Sequence, residues 1–128
     1  MKNIWIVDDD EEMTRAIQLM LKLLDYTTTA FLGARPAAQT LLSGKQPDLI
    51  LLDINMPEVS GLDMLEFVRR RQEWNDVPII MLSTEAADVT VDKAMELGAD
   101  GYVSKPVTIE ELEKALNEAF QKHQKGSL

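Results

Sequence analysis

The sequence contains no cysteine, which excludes disulfides and thiolate metal sites and fits a reducing compartment better than secretion. Positive charge is scarce: 13 Lys and Arg stand against 22 Asp and Glu, for a formal net charge of −9. That balance argues against a nucleic-acid groove, which needs clustered Lys and Arg, and favours protein partners or a cation. Long apolar runs are also missing. Only Ile4-Trp5-Ile6-Val7 precedes Asp8, whereas a secretory core needs roughly 7–15 apolar residues and a membrane helix about 20. The chain is therefore expected to be cytoplasmic and soluble, with no membrane association and no direct nucleic-acid binding. No repeat, low-complexity tract or Pro/Gly-rich linker divides it.

What remains is the composition of one globular domain: 128 residues, 45% hydrophobic and 27% charged. A chain of that size buries about two-thirds of its unfolded surface. Short apolar runs alternate with amphipathic stretches. Ile4–Val7, Leu49–Leu52 and Ile79–Leu82 are continuous and of strand length, as expected for strands buried on both faces. Thr27–Phe31 and Gly101–Ser104 are weaker strand signals.

Between these runs the period is helical. Met13, Ile17, Met20, Leu21 and Leu24 mark the first helix, and Ala34, Ala37, Ala38, Leu41 and Leu42 the second, with Pro36 in its first turn. Leu62, Leu65 and Val68 mark a third behind the N-cap candidate Ser60. Val89, Ala94, Met95 and Leu97 mark a fourth, ended by Gly98. Ile109, Leu112, Leu116, Ala119 and Phe120 mark the last, with Thr108 and Glu111 as a capping box. Five βα units predict an α/β fold: a five-stranded parallel sheet with helices on both faces. Residues 1–122 are expected to form the domain. The polar residues 123–128, which include His123, read as a fraying tail or the start of a linker.

In open α/β sheets, ligands bind beyond the carboxyl ends of the strands. The residues there are Asp8-Asp9-Asp10 after the first run and Asp53-Ile54-Asn55-Met56-Pro57 after the third. Ser83-Thr84-Glu85 follows the fourth, and Lys105-Pro106 the fifth. Several carboxylates within a few ångströms need compensation. All-oxygen donors without His or Cys suit Mg²⁺. A carboxylate between a metal ion and Lys105, with a hydroxyl nearby, is organised to accept a phosphoryl group, a role Asp fills in aspartyl-phosphate chemistry.

As a set, Val7-Asp8-Asp9, Leu52-Asp53-Ile54-Asn55-Met56-Pro57, Leu82-Ser83 and Ser104-Lys105-Pro106 resemble the signature of response-regulator receiver domains. The resemblance spans roughly Lys2 to Gln121. It implies the flavodoxin-like (βα)5 fold, with Asp53 as phosphoacceptor. Asp9 resembles the direct Mg²⁺ ligand, Asp8 the acid holding metal-bound water, and the backbone carbonyl of Asn55 the third protein ligand. Ser83 matches the hydroxyl that moves onto the phosphoryl group, and Lys105 the cation that pairs with it. The resemblance further implies a cis peptide before Pro106, an aromatic switch at Tyr102, and tuning of dephosphorylation by Asn55 and Glu85. The implied partners are a sensor histidine kinase or histidine phosphotransfer protein, and downstream a protein or an output domain. Thr84 stands where a small residue is usual.

Blander readings compete at each position. The acidic run Asp8–Glu12 also suits a helix first turn, Ser83 and Thr84 also suit an N-cap, and Arg69-Arg70-Arg71 suits a helix end. What opposes them is convergence on one sheet edge. A degenerate receiver acting as a constitutive interaction module is opposed by the intact acid–Asp–hydroxyl–Lys set. A haloacid-dehalogenase-type phosphatase needs a second Asp where Asn55 stands. Nucleotide binding lacks its glycine-rich loop after the first strand.

Overall fold

A computed structural model describes residues 1–84 and 88–126. The elements are β1 (Asn3–Val7), α1 (Glu11–Leu23), β2 (Thr27–Phe31), α2 (Ala34–Leu42), β3 (Leu49–Asp53) and α3 (Gly61–Arg69). A single 3-10 turn (Gln72–Trp74) leads to β4 (Ile79–Ser83), α4 (Asp88–Glu96), β5 (Gly101–Ser104) and α5 (Ile109–Gly126). All strand pairs are parallel, in the order β2-β1-β3-β4-β5. This is the doubly wound arrangement that the resemblance implied.

The continuous apolar runs follow from burial on both faces. Ile50, Leu52, Ile79 and Met81 join the core under α2, α3 and α4, while Leu49, Leu51, Ile80 and Leu82 join the core under α1 and α5. β2 lies at the sheet edge, and its weaker apolar signal reflects three exposed residues, Thr27, Thr29 and Ala30.

Helix ends follow local chemistry. Asp10 caps α1 by accepting from Met13 N–H at 3.1 Å. Ser60 and Asp63 form a reciprocal capping box on α3. Gly98, at φ 105°, closes the α4 turn in the left-handed region that disfavours a side chain. Thr108 Oγ1 accepts from Glu111 N–H at 3.2 Å before α5.

α5 runs on past Phe120 through His123 to Gly126. Its apolar period ends at Phe120, so the sequence carries no sign of this extension. A polar contact accompanies this stretch: His123 Nε2 lies 3.0 Å from Oδ1 of Asp100, whose side chain is largely buried, and Lys122 Nζ lies 3.8 Å from the same oxygen. Among the described residues, no helix is long and apolar enough to cross a membrane.

Candidate functional site

Four strand ends converge at the carboxyl edge of the sheet. At the end of β1, Asp8 N–H donates to Phe31 O at 3.0 Å, and Asp8 Oδ1 accepts from Asp10 N–H at 2.9 Å. The turn thus buries Asp8 completely and leaves Asp9 exposed. β3 delivers Asp53, buried to 3% exposure, and Ile54 N–H donates to Leu82 O at 3.0 Å to hold that end against β4. β4 delivers the buried Ser83, whose carbonyl accepts from Lys105 N–H at 2.8 Å. The Lys105–Pro106 peptide is cis.

Carboxylate oxygens of Asp8, Asp9 and Asp53 all lie within 4.8 Å of one another. Lys105 Nζ sits 2.8 Å from Asp8 Oδ2 and 3.3 Å from Asp53 Oδ1. Burial pushes the Asp53 carboxyl up to about 6, aided by the Asp8 charge and opposed by Lys105 and by the Asn55 N–H. Burial pulls the Lys105 ammonium down. Close contact with Asp8 and the charges of Asp53 and Asp8 outweigh that, and the net shift is upward.

One ammonium thus pairs with two carboxylates, Asp8 and Asp53, of a cluster of three, and the compensation is incomplete. Asp8 Oδ2 is buried and receives no well-directed hydrogen bond, Lys105 approaching it at ion-pair distance but off angle. An undercompensated all-oxygen cluster with an open side at Asp9 fits a hard divalent cation.

The other sequence candidates fall as follows. Asn55 is exposed on the loop after β3, its N–H 3.4 Å from Asp53 Oδ1. Thr84 is exposed beside the buried Ser83. Tyr102 is 38% exposed on the edge strand β5, in register with Met81. Asp10 faces its own helix as a cap and lies outside the cluster. Glu85 lies outside the described residues.

Two features went unread in the sequence. Gly61 packs without a side chain against the Asp53 backbone. A glycine at the first position of a helix, where it is a poor former, was the available signal. The second is Arg69, a partly buried brace to Asp100 at 3.0 Å, which looked like its neighbours Arg70 and Arg71.

Residues 4–117 match the family described as the response regulator receiver domain. The chain is 33% identical over 119 residues to the chemotaxis protein CheY of Pseudomonas aeruginosa, covering 93% of this chain and 96% of that one. It is 33% identical over 125 residues to the KDP operon transcriptional regulatory protein KdpE of Escherichia coli, covering 96% of this chain. It spans about half of that longer relative, at 53%. Among solved structures, the Vibrio cholerae chemotaxis protein CheY4 matches with a TM-score of 0.84 at 28% identity, over 93% of this chain and 98% of that one.

Proposed function

This chain belongs to the response regulator receiver domain family, and we propose that within it Asp53 accepts a phosphoryl group from a phosphohistidine of a partner protein. The observation that supports this most is the placement of Asp53: a buried carboxylate, held up at about 6, beside Asp8 and sharing the Lys105 ammonium with it. At neutral pH it is largely ionised yet more basic than an ordinary Asp, which suits a nucleophile.

An Asp53 oxygen attacks phosphorus, the P–N bond to the partner's imidazole breaks, and the imidazole leaves with the bonding pair. Water later hydrolyses the acyl phosphate and regenerates the carboxylate. Asp8, Asp9, Asp53 and the backbone carbonyl of Asn55 would hold Mg²⁺. When bound, that ion neutralises charge on the oxygens of the transferring group. Lys105 pairs with a phosphoryl oxygen from the other side.

Ser83 then bonds the phosphoryl group and Tyr102 moves inward, which biases a two-state surface read by a downstream protein or an output domain. Asn55 and Glu85 tune hydrolysis towards a short-lived phosphoryl state. The phosphodonor is a sensor histidine kinase or a histidine phosphotransfer protein. The setting is cytoplasmic, with contacts to proteins rather than to nucleic acid or membrane.

Intact mass after incubation with Mg²⁺ and a small acyl phosphate tests this. A gain of one phosphoryl group, absent in Asp53→Asn and in the presence of a chelator, is expected. No gain in the wild-type chain would sink the phosphoacceptor reading and leave a constitutive interaction module.

A further inference from the structure

α3 meets β3 more closely than side chains permit. A Cβ built on Gly61 would lie 2.0 Å from the Asp53 carbonyl oxygen and 2.8 Å from both the Asp53 carbonyl carbon and Ile54 Cα. All three are backbone atoms and none can swing aside. The approach is fastened as well as close: Gly61 N–H donates to Ile54 O at 2.9 Å, and the Ser60–Asp63 capping box fixes the turn in which Gly61 sits. The first turn of α3 therefore abuts the peptide that carries the Asp53 side chain. Real Cβ atoms essentially never come within 3.0 Å of such neighbours, so any side chain at position 61 must drive helix and strand apart by about 1 Å.

We infer that Gly61 is a positioning residue for phosphoryl transfer: its missing side chain sets how far Asp53 stands from Asp8 and Lys105. This rests on the reading of Asp53 as phosphoacceptor. A packing glycine elsewhere in a helix would affect stability alone. Here the displaced atoms belong to the nucleophile's own residue. The contacts at stake are the 3.3 Å separation from Lys105 Nζ and the spacing of the three carboxylates. A displacement on the order of 1 Å at a reacting atom can cost about 10²-fold in rate.

The test compares Gly61→Ala with Val68→Ala, a cavity variant in the buried face of the same helix. Labelling by a small acyl phosphate is followed by intact mass at saturating Mg²⁺, alongside the melting temperature and the 13C resonance of the Asp53 carboxyl in metal-free protein. Gly61→Ala is expected to lower the maximal labelling rate about tenfold or more with the half-saturating donor concentration unchanged, and to displace the Asp53 resonance. Val68→Ala is expected to lower the melting temperature while sparing both. Rate losses that merely track melting temperature in the two variants would overturn the inference, as would wild-type labelling in Gly61→Ala.

Absence of labelling in the wild type would overturn the proposed function instead. The Asp53 resonance then decides the positioning claim on its own: displaced in Gly61→Ala alone, the claim stands; equal in all three proteins, it falls. If Gly61→Ala does not fold, Ser60→Ala loosens the same turn without adding volume. It should shift the resonance and slow labelling by a smaller factor, and no change in either would overturn the inference.

Discussion

Lys105 Nζ lies 3.3 Å from Asp53 Oδ1 although β5 and β3 are not neighbours in the sheet, so the lysine reaches across the end of β4 to do so. The same nitrogen contacts Asp8 at 2.8 Å, and one cation thereby ties three strand ends together. Lys105→Met should leave Asp8 and Asp53 facing each other without a counter-charge. Removing one member of a buried pair costs about 3–5 kcal/mol. The exposed Asp9 side admits solvent, which places the expected loss near the low end, about 3 kcal/mol in metal-free buffer at pH 7.5. Urea denaturation checks it. Added Mg²⁺ should restore more stability to Lys105→Met than it adds to the wild type, because the variant has more uncompensated charge.

The raised Asp53 carboxyl makes the metal-free protein sensitive to pH. Its folded value of about 6 stands above the ordinary aspartate value of 3.8. Between those values the folded state keeps a proton that the unfolded state releases. Stability from this group is therefore full below about pH 4, declines as pH rises towards 6, and stays low above that. Asp53→Asn removes the ionisation. In the absence of divalent cations it should be more stable than the wild type by roughly 1–3 kcal/mol at pH 7.5, with the gap closing as pH falls towards 4. Thermal melts across that range decide it. A gap that widened at low pH would mean that Asp53 is held ionised rather than protonated.

The strands were legible because β3 and β4 are buried on both faces, and Leu49–Leu52 and Ile79–Leu82 have no polar position to interrupt them. The acids and Lys105 were legible for a related reason: each lies at the end of a strand run, apolar for Asp8 and Asp53 and weaker for Lys105, and a parallel sheet gathers those ends on one edge. What stayed hidden depends on partners distant in sequence. Nothing local distinguishes Arg69 from Arg70, yet Arg69 finds Asp100 31 positions away while Arg70 finds Glu66 one helical turn back. Gly61 is set apart by a carbonyl eight residues earlier, and His123 by a carboxylate in the loop before β5.

That contrast is measurable. Arg69 is nearly buried and donates to Gly98 O at 2.9 Å, Trp74 O at 3.1 Å and Asp100 Oδ2 at 3.0 Å. It thereby ties the end of α3 to the loops at both ends of the β4–α4 segment. Arg69→Ala should leave the Asp100 carboxylate without its main counter-charge, held only by Ile79 N–H at 2.8 Å, His123 and the more distant Lys122, and cost about 3 kcal/mol, the low end for a broken buried pair. Arg70 pairs with Glu66 on the exposed face of α3, and Arg70→Ala should cost no more than about 0.5 kcal/mol. Urea midpoints for the two variants should differ accordingly. Equal midpoints would show that the Arg69 brace contributes no more than a surface pair.

The last turn of α5 gives a further test, since apolar periodicity would end the domain at Lys122 and the helix ends at Gly126. The extension is held by His123, whose Nε2 is 3.0 Å from Asp100 Oδ1, so the buried carboxylate serves Arg69 through one oxygen and α5 through the other. His123→Ala removes a side-chain contact from a carboxylate that keeps its arginine, and the expected cost is about 1 kcal/mol. A chain ending at Lys122 loses that contact together with the final helical hydrogen bonds, for which about 1–2 kcal/mol is expected. Both should add weakly to Arg69→Ala, because residues that share one carboxylate are coupled rather than independent. If truncation at Lys122 left the urea midpoint unchanged, the helix beyond that residue would be undocked, and the boundary read from apolar periodicity would be the physical one.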